Sequence, residues 1–270
     1  MPELPFSPPL SFGAPLRRGR VTAVPVFADA ARPAPPYALA IDALAAGQLT
    51  VDELAHAAVA QLQARNRGGQ PALFLDGDHL VGARQNRMVT SAALIGAGAT
   101  VAVPVVCVER GRWAAGAGGA DAAPTAGSAA LRQIARLTTT RAVLDGGART
   151  ADQSAIWSTI SAQQRALRVT SATGALAHTY AARAADLAEL ADHLPCPPGA
   201  VGVALAVGPA LVSVDVFDRP ETCARLWRRL IDGAALDGLT APPRAPADLL
   251  AELGRVLAAL TVARWRRVPA

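Results

Sequence analysis

The chain has 270 residues, 51% of them hydrophobic and 17% charged, which supplies enough apolar material for a sizeable core and excludes a wholly disordered protein. Its basic residues number 26 against 21 acidic ones, a formal +5, yet they are spread along the chain and form no runs, so charge permits nucleic-acid binding without arguing for it. All 26 are arginine, which beside abundant alanine, glycine and proline reads first as a GC-rich coding bias. Cys107, Cys196 and Cys223 are odd in number and fall in no CxxC spacing; they fit a reducing cytoplasm and argue against a disulfide scaffold or structural zinc.

In chain order, the proline-rich lead over residues 1–16, which opens MPELPFSPPLSFG, lacks the basic region and apolar block of a signal peptide. Arg20 to Ala28 alternates as a half-buried strand would, Ala31 to Pro36 reads as a turn, Ile41 to Ala46 as a helical turn closed by Gly47, and Leu49 to Leu54 as a short strand. Ala57 to Arg65 is open between helix and strand, because alanine dilutes the period. From Ala72 to Val106 the pattern predicts an antiparallel meander, with a turn at Asp76-Gly77-Asp78, a polar corner at Arg84 to Asn86 and a Gly96-Ala97-Gly98 turn. Met88 to Cys107 carries no charge over nearly a bilayer's length, but those glycines, Pro104, Thr90, Ser91 and Thr100 break it into strands, so no membrane span is expected.

Residues 114–127 are an Ala/Gly stretch expected to form a mobile surface loop, a tolerated insertion first and a lid second. Helices are predicted from Ser128, from Thr150 with Gln153 completing a capping box, and from Thr173 through Leu176, Tyr180, Leu187 and Leu190 to Pro195. Strands return at Val201 to Val207 and Leu211 to Phe217, split at Gly208-Pro209; a helix follows from Asp218 and an amphipathic one over Pro246 to Arg267. The expected fold is α+β: an antiparallel sandwich or barrel-like sheet from N- and C-terminal strands around a helical middle, with 17–240 as one domain and 241–270 a helix packed on it.

Chemistry concentrates in two words, LDGDHLVGARQNR (75–87) and PVVCVERGRW (104–113). Asp76 and Asp78 flank a glycine and could bind a hard cation or act as acid and base, though DGD is first of all a turn. Arg84, Gln85, Asn86 and Arg87 form a donor set suited to phosphate or carboxylate, Arg112 a further anion clamp, and Trp113 a surface for a flat ligand. Glu109 and Asp78 are the candidate acid and base; for Glu109 the plainer reading is a surface ion pair. Cys107, after an apolar run, reads as a buried small hydrophobe and not a nucleophile. Trp227-Arg228-Arg229 and Trp265-Arg266-Arg267 place aromatics beside cations, but arginine near a helix C-terminus also answers the helix dipole.

With the later DQSAIW (152–157) and VGVALAVGPALVSVDVFDRP, these words resemble a bacterial family, the ARG and Rhodanese-Phosphatase-superfamily-associated protein domain, from about Arg20 to about Gly238. The family pattern has glutamate where this chain has Asp78, commonly another residue at His79, lysine at Arg84 and glutamine at Arg110, so a lysine-based mechanism is not carried over. The resemblance implies genomic association with ADP-ribosylglycohydrolases and phosphatases, hence nucleotide- or ADP-ribose-like chemistry. Two readings stand: a pocket that binds or hydrolyses a small phosphorylated molecule, and a non-enzymatic binding or scaffold protein whose words form an internal network. The sequence names no cofactor and no metal, and is silent on oligomeric state.

Overall fold

The structure, a computed structural model, describes residues 10–29, 35–54, 58–113, 118–243 and 248–262. Its strands before the helical middle are β1 (Leu10–Phe12), β2 (Leu16–Arg18), β3 (Val21–Ala28) and β4 (Ala38–Leu39), then, after α1 (Ala40–Ala45), β5 (Leu49–Asp52), β6 (Gln61–Asn66), β7 (Ala72–Phe74), β8 (Asp78–Gly82), β9 (Arg87–Val89), β10 (Ala93–Ile95), β11 (Thr100–Cys107) and β12 (Ala120–Ala126). There follow α2 (Ala129–Leu144), α3 (Gln153–Ala166), α4 (Leu176–Ala182), α5 (Ala184–Asp192), β13 (Gly202–Val207), β14 (Ala210–Val216), α6 (Pro220–Gly238) and α7 (Leu249–Val262). The class is α+β, and no helix among the described residues is long and apolar enough to cross a membrane. The chain divides into two compact units, Pro35–Leu187 and the residues before and after it.

Within Pro35–Leu187 a six-stranded antiparallel sheet runs β12-β8-β9-β11-β6-β5. Long β11 holds it together, pairing first with β6 (Thr100↔Arg65 to Pro104↔Gln61) and then with β9 (Val105↔Val89 to Cys107↔Arg87). The sheet curls until its edge strands β5 and β12 meet; a Cβ on Gly119, just before β12, would lie 2.9 Å from the Val51 carbonyl oxygen. Alternation drives the curl: Leu49 and Val51 on β5, Leu62 and Ala64 on β6 and Val103 and Val105 on β11 turn inward onto Leu80 and Phe74. Each large side chain so buried contributes about 1.5–3 kcal/mol. A small second sheet, β10-β7-β4, takes β7 and β10 out of the meander expected over 72–106, leaving β8, β9 and β11 as its continuous part.

The Ala/Gly stretch corrects the sequence reading. Residues 114–117 lie outside the described ones, but Ala120–Ala126 is the edge strand β12, paired with β8 and irregular between Ala122 and Ala126. Ala120, Ala123 and Ala126 are buried, and a Cβ on Gly127 would meet the Met88 sulfur at 2.2 Å. Small residues there mark close packing, which low complexity conceals. The helices also shift. Ser128 caps α2 as expected, but α3 is capped by Asp152, whose carboxylate accepts from the Ser154 and Ala155 amides, and not by Thr150. The third helix begins at Leu176 and breaks at Arg183 into α4 and α5.

The second unit holds a five-stranded sheet, β1-β3-β13-β14 with β2 also on β3. The late strand pair therefore completes the sheet begun by Val21–Ala28, not the meander strands. Its centre, β3, has six buried residues in succession, so the half-buried alternation read from its sequence is overturned by cover on both faces. Val24, Ala204 and Ala206 pack on Leu249 and Leu253 of α7, while Val21 meets Gly238 of α6. Trp227 of α6 is buried and donates its indole N–H to the Leu194 carbonyl at 2.7 Å, which makes it core and not an aromatic beside cations on a surface. Arg264 to Arg267 lie outside the described residues.

Candidate functional site

The polar corner Ala83 to Asn86 joins β8 to β9, and the second word runs off the end of β11, the strand that pairs with β9. Strand order thus brings the two words together. The corner needs unusual backbone: Gly82 has φ +117 and Ala83 φ +46. Their carbonyls accept from Arg112 Nη2 (3.2 Å) and Nη1 (2.9 Å), while Arg112 Nη2 also donates to Asn86 Oδ1 at 2.9 Å. Asn86 Oδ1 takes the Gly82 N–H as well, at 3.1 Å.

Glu109 completes this clasp. Its Oε2 accepts from Arg112 Nε (2.9 Å) and the Asn86 amide (3.1 Å) and lies 2.7 Å from Arg112 Nη2 in an ion pair, and its Oε1 accepts from Thr173 Oγ1 (2.8 Å). Burial alone would push its carboxyl pKa up, but the bonds from Arg112, Asn86 and Thr173 outweigh it and hold the carboxyl below the usual range. Glu109 is an ionised structural acceptor here. Asp78, the other carboxylate, is buried in β8 and accepts the Leu75 amide at 2.8 Å, closing the DGD turn. Asp76 faces α2 and pairs with Arg136 (2.5 Å) and Arg132 (3.7 Å).

Arg87 is different. It is fully buried, the largest side chain so enclosed among the described residues, yet only Nη1 donates, to the Gln85 carbonyl (3.0 Å) and Oε1 (3.3 Å). Nε and Nη2 have no hydrogen-bond partner among the described residues. The nearest carboxylate, Glu53, stands 4.0 Å from Nη2; its Oε1 accepts the Arg84 amide at 3.1 Å, and its buried Oε2 likewise has no partner among them. Trp113, 49% exposed, has both the Arg87 and the Arg84 guanidinium over its ring, 5.8 and 5.4 Å from the centroid.

Cys107 sits opposite Arg87 in the β9–β11 ladder. Burial raises its thiol pKa; nearby Arg87 lowers it and Glu53 raises it further, so it stays a protonated small hydrophobe. Gln153 Nε2 donates to the Cys107 carbonyl (2.8 Å) and its Oε1 accepts the Cys107 amide (2.9 Å), tying the DQSAIW word to β11 instead of closing a capping box. His79, His178 and His193 do not meet: their Nδ1 atoms lie against Thr125 Oγ1, Ser171 Oγ and the Glu189 carbonyl. No group of three metal-ligating side chains occurs among the described residues.

Sequence reasoning passed over Glu53, Thr173 and the true work of Gln153. Glu53 fell inside the strand expected over Leu49 to Leu54, whereas β5 ends at Asp52, and Thr173 had no local signal, because its partner is 64 residues away. Residues 9–270 match the model of a family described as the ARG and Rhodanese-Phosphatase-superfamily-associated Protein domain. No curated protein and no solved structure matches the chain.

Proposed function

Because the chain belongs to the ARG and Rhodanese-Phosphatase-superfamily-associated Protein domain family, we propose that its polar corner binds a small phosphorylated molecule, nucleotide- or ADP-ribose-like, at Arg87. One observation carries this reading: a wholly buried guanidinium with two nitrogens unused among the described residues, beside a buried Glu53 oxygen equally unused. Leaving a buried charge so poorly answered costs several kcal/mol, roughly 3–5 by analogy with broken ion pairs. A ligand that accepts from Arg87 and donates a hydroxyl or N–H to Glu53 Oε2 removes that cost. Arg84 adds a second positive charge, Gln85 orients Arg87 through two acceptors, and Trp113 offers a partly exposed ring to a flat group.

Asn86, Arg112 and Glu109 then form the frame and not the lining, since their polar atoms are spent on one another and on the strained corner. Binding is favoured over hydrolysis. An ionised Glu109 with both oxygens engaged has no proton to give, and Asp78 is occupied by its turn. The closed Asn86–Glu109–Arg112–Thr173 network also supports the scaffold reading for that half of the motif.

The test is thermal shift and calorimetry with ADP-ribose, nucleoside diphosphates and inorganic phosphate, on the wild type and Arg87→Met. A ligand at a hundred times its Kd adds about 2.7 kcal/mol to stability. The expected result is a rise in melting temperature with a phosphorylated probe, absent in R87M. No response to any of these probes, or equal response in R87M, overturns the proposal.

A further inference from the structure

The second and third words meet again on the outer side of α3. Ser154, Ser158, Ser161 and Arg165 recur at helical spacing, and with Trp157 and Arg110 they line a groove of about 340 Å³. Arg110 is held before any ligand arrives. Its neighbours are fixed to one residue, Glu109 by the Thr173 hydroxyl (2.8 Å) and Gly111 by the Thr173 carbonyl (2.7 Å), and a Cβ on Gly111 would stand 2.9 Å from Thr173 Cα. The backbone is thus tied to Thr173 on both sides of Arg110, and the Arg110 guanidinium lies over the Trp157 ring, 5.5 Å from its centroid.

Charge separates this groove from two others in the same unit. The one beside β5 is lined by Asp52 and Asp121 with Arg67, and the one beside α2 by Asp76 with Arg136. The α3 groove has two arginines, three serine hydroxyls and no carboxylate. The acids nearest in sequence are both engaged: Glu109 by Arg112, the Asn86 amide and Thr173, and Asp152 by the Ser154 and Ala155 amides. Neither Arg110 nor Arg165 has an ion pair among the described residues. Side chains on a helix lean toward its N-terminus, which carries the Arg165 guanidinium toward Ser161 and Ser158.

We infer that this groove is a second anion site, which takes the phosphate group of a small phosphorylated molecule between Arg110 and Arg165 with the serine hydroxyls as additional donors. Two guanidiniums and aligned hydroxyls match the tetrahedral acceptor set of a phosphate, and no carboxylate lines the groove to repel it. The site is separate from Arg87 and does not depend on it.

The experiment titrates the full chain with inorganic phosphate and follows the indole N–H resonances, Trp157 being assigned through Trp157→Phe. Phosphate is expected to move the Trp157 signal along a saturating curve that chloride does not reproduce. Arg165→Ala should weaken that curve tenfold or more and Ser158→Ala severalfold, with unchanged melting temperatures in the absence of phosphate, since both side chains are on the exposed face. The curve should persist in R87M, which sets this site apart from the corner. A Trp157 resonance indifferent to phosphate, or a curve unaltered in both R165A and S158A, overturns the inference.

Discussion

Replacing Glu109 by alanine tests whether the carboxylate is structural. The substitution strands the Asn86 N–H in a buried place, at about 1–3 kcal/mol, and removes the charged acceptor of Thr173 Oγ1, at about 1.5 kcal/mol. Arg112 also loses its carboxylate, but its side chain is 29% exposed and keeps its bonds to Gly82, Ala83 and Asn86, so that term is about 1 kcal/mol. The sum is about 4 kcal/mol, or roughly 10 °C in melting temperature for a unit of this size. Arg112→Ala should cost less, about 2–3 kcal/mol, because Glu109 retains two donors and the released carbonyls can reach solvent. Urea unfolding followed by circular dichroism on E109A, R112A and the double variant gives a coupling energy expected at about 1 kcal/mol or more. E109A within about 1 kcal/mol of wild type, with effects that simply add, would refute the clasp and return both side chains to the pool of ligand contacts.

R87M is expected to be as stable as wild type or more so, because an apolar side chain of similar length removes a buried charge that the fold leaves half answered; a large drop in urea midpoint would contradict this. Glu109 also sets a pH dependence. Its folded pKa is depressed, so the unfolded chain binds more protons as acid is added, and its contribution, complete above about pH 5, is lost as pH falls through the folded value; E109Q should flatten the urea midpoint between about pH 6 and pH 3. Gly202→Ala, whose Cβ would stand 2.3 Å from the Asp215 carbonyl oxygen, should destabilise by about 1–3 kcal/mol or more, as thermal melting would register. Ellman titration of the native protein should leave Cys107 unreacted until the chain unfolds, with Cys107→Ser giving the same native count.

What the sequence made legible was local. The β13–β14 hairpin announces itself through two apolar runs split at Gly208, which has φ +56, and α2 through Ser128 before a helical period. The misreadings are all non-local or compositional. The alanines of β12 hide a strand because their composition reads as loop, while the glycines on either side of it, Gly119 and Gly127, leave room for Val51, Asp52 and Met88, which lie far off in sequence. Gln153 stands where a capping box would want it, but its amide matches both polar groups of Cys107, 46 residues away, more completely than one helix N–H could. The break at Arg183 leaves no trace in the apolar period, since Tyr180 and Leu187 keep helical spacing on either side of it.

Arg112 and Arg87 show why a dense polar motif cannot be read as a pocket from composition alone. Both are arginines on adjacent segments, and either could clamp an anion. Arg112 comes off a strand end, where the turn backbone of Gly82 and Ala83 presents two carbonyls and Glu109 a carboxylate, so its donors are consumed in holding the corner. Arg87 lies within a strand whose amides already serve the ladder, and among the described residues no carbonyl turns toward its Nε and Nη2. The same residue type has its donors consumed in one place and left open in the other because of what the surrounding backbone has to offer, and that depends on strand register, which the words do not encode.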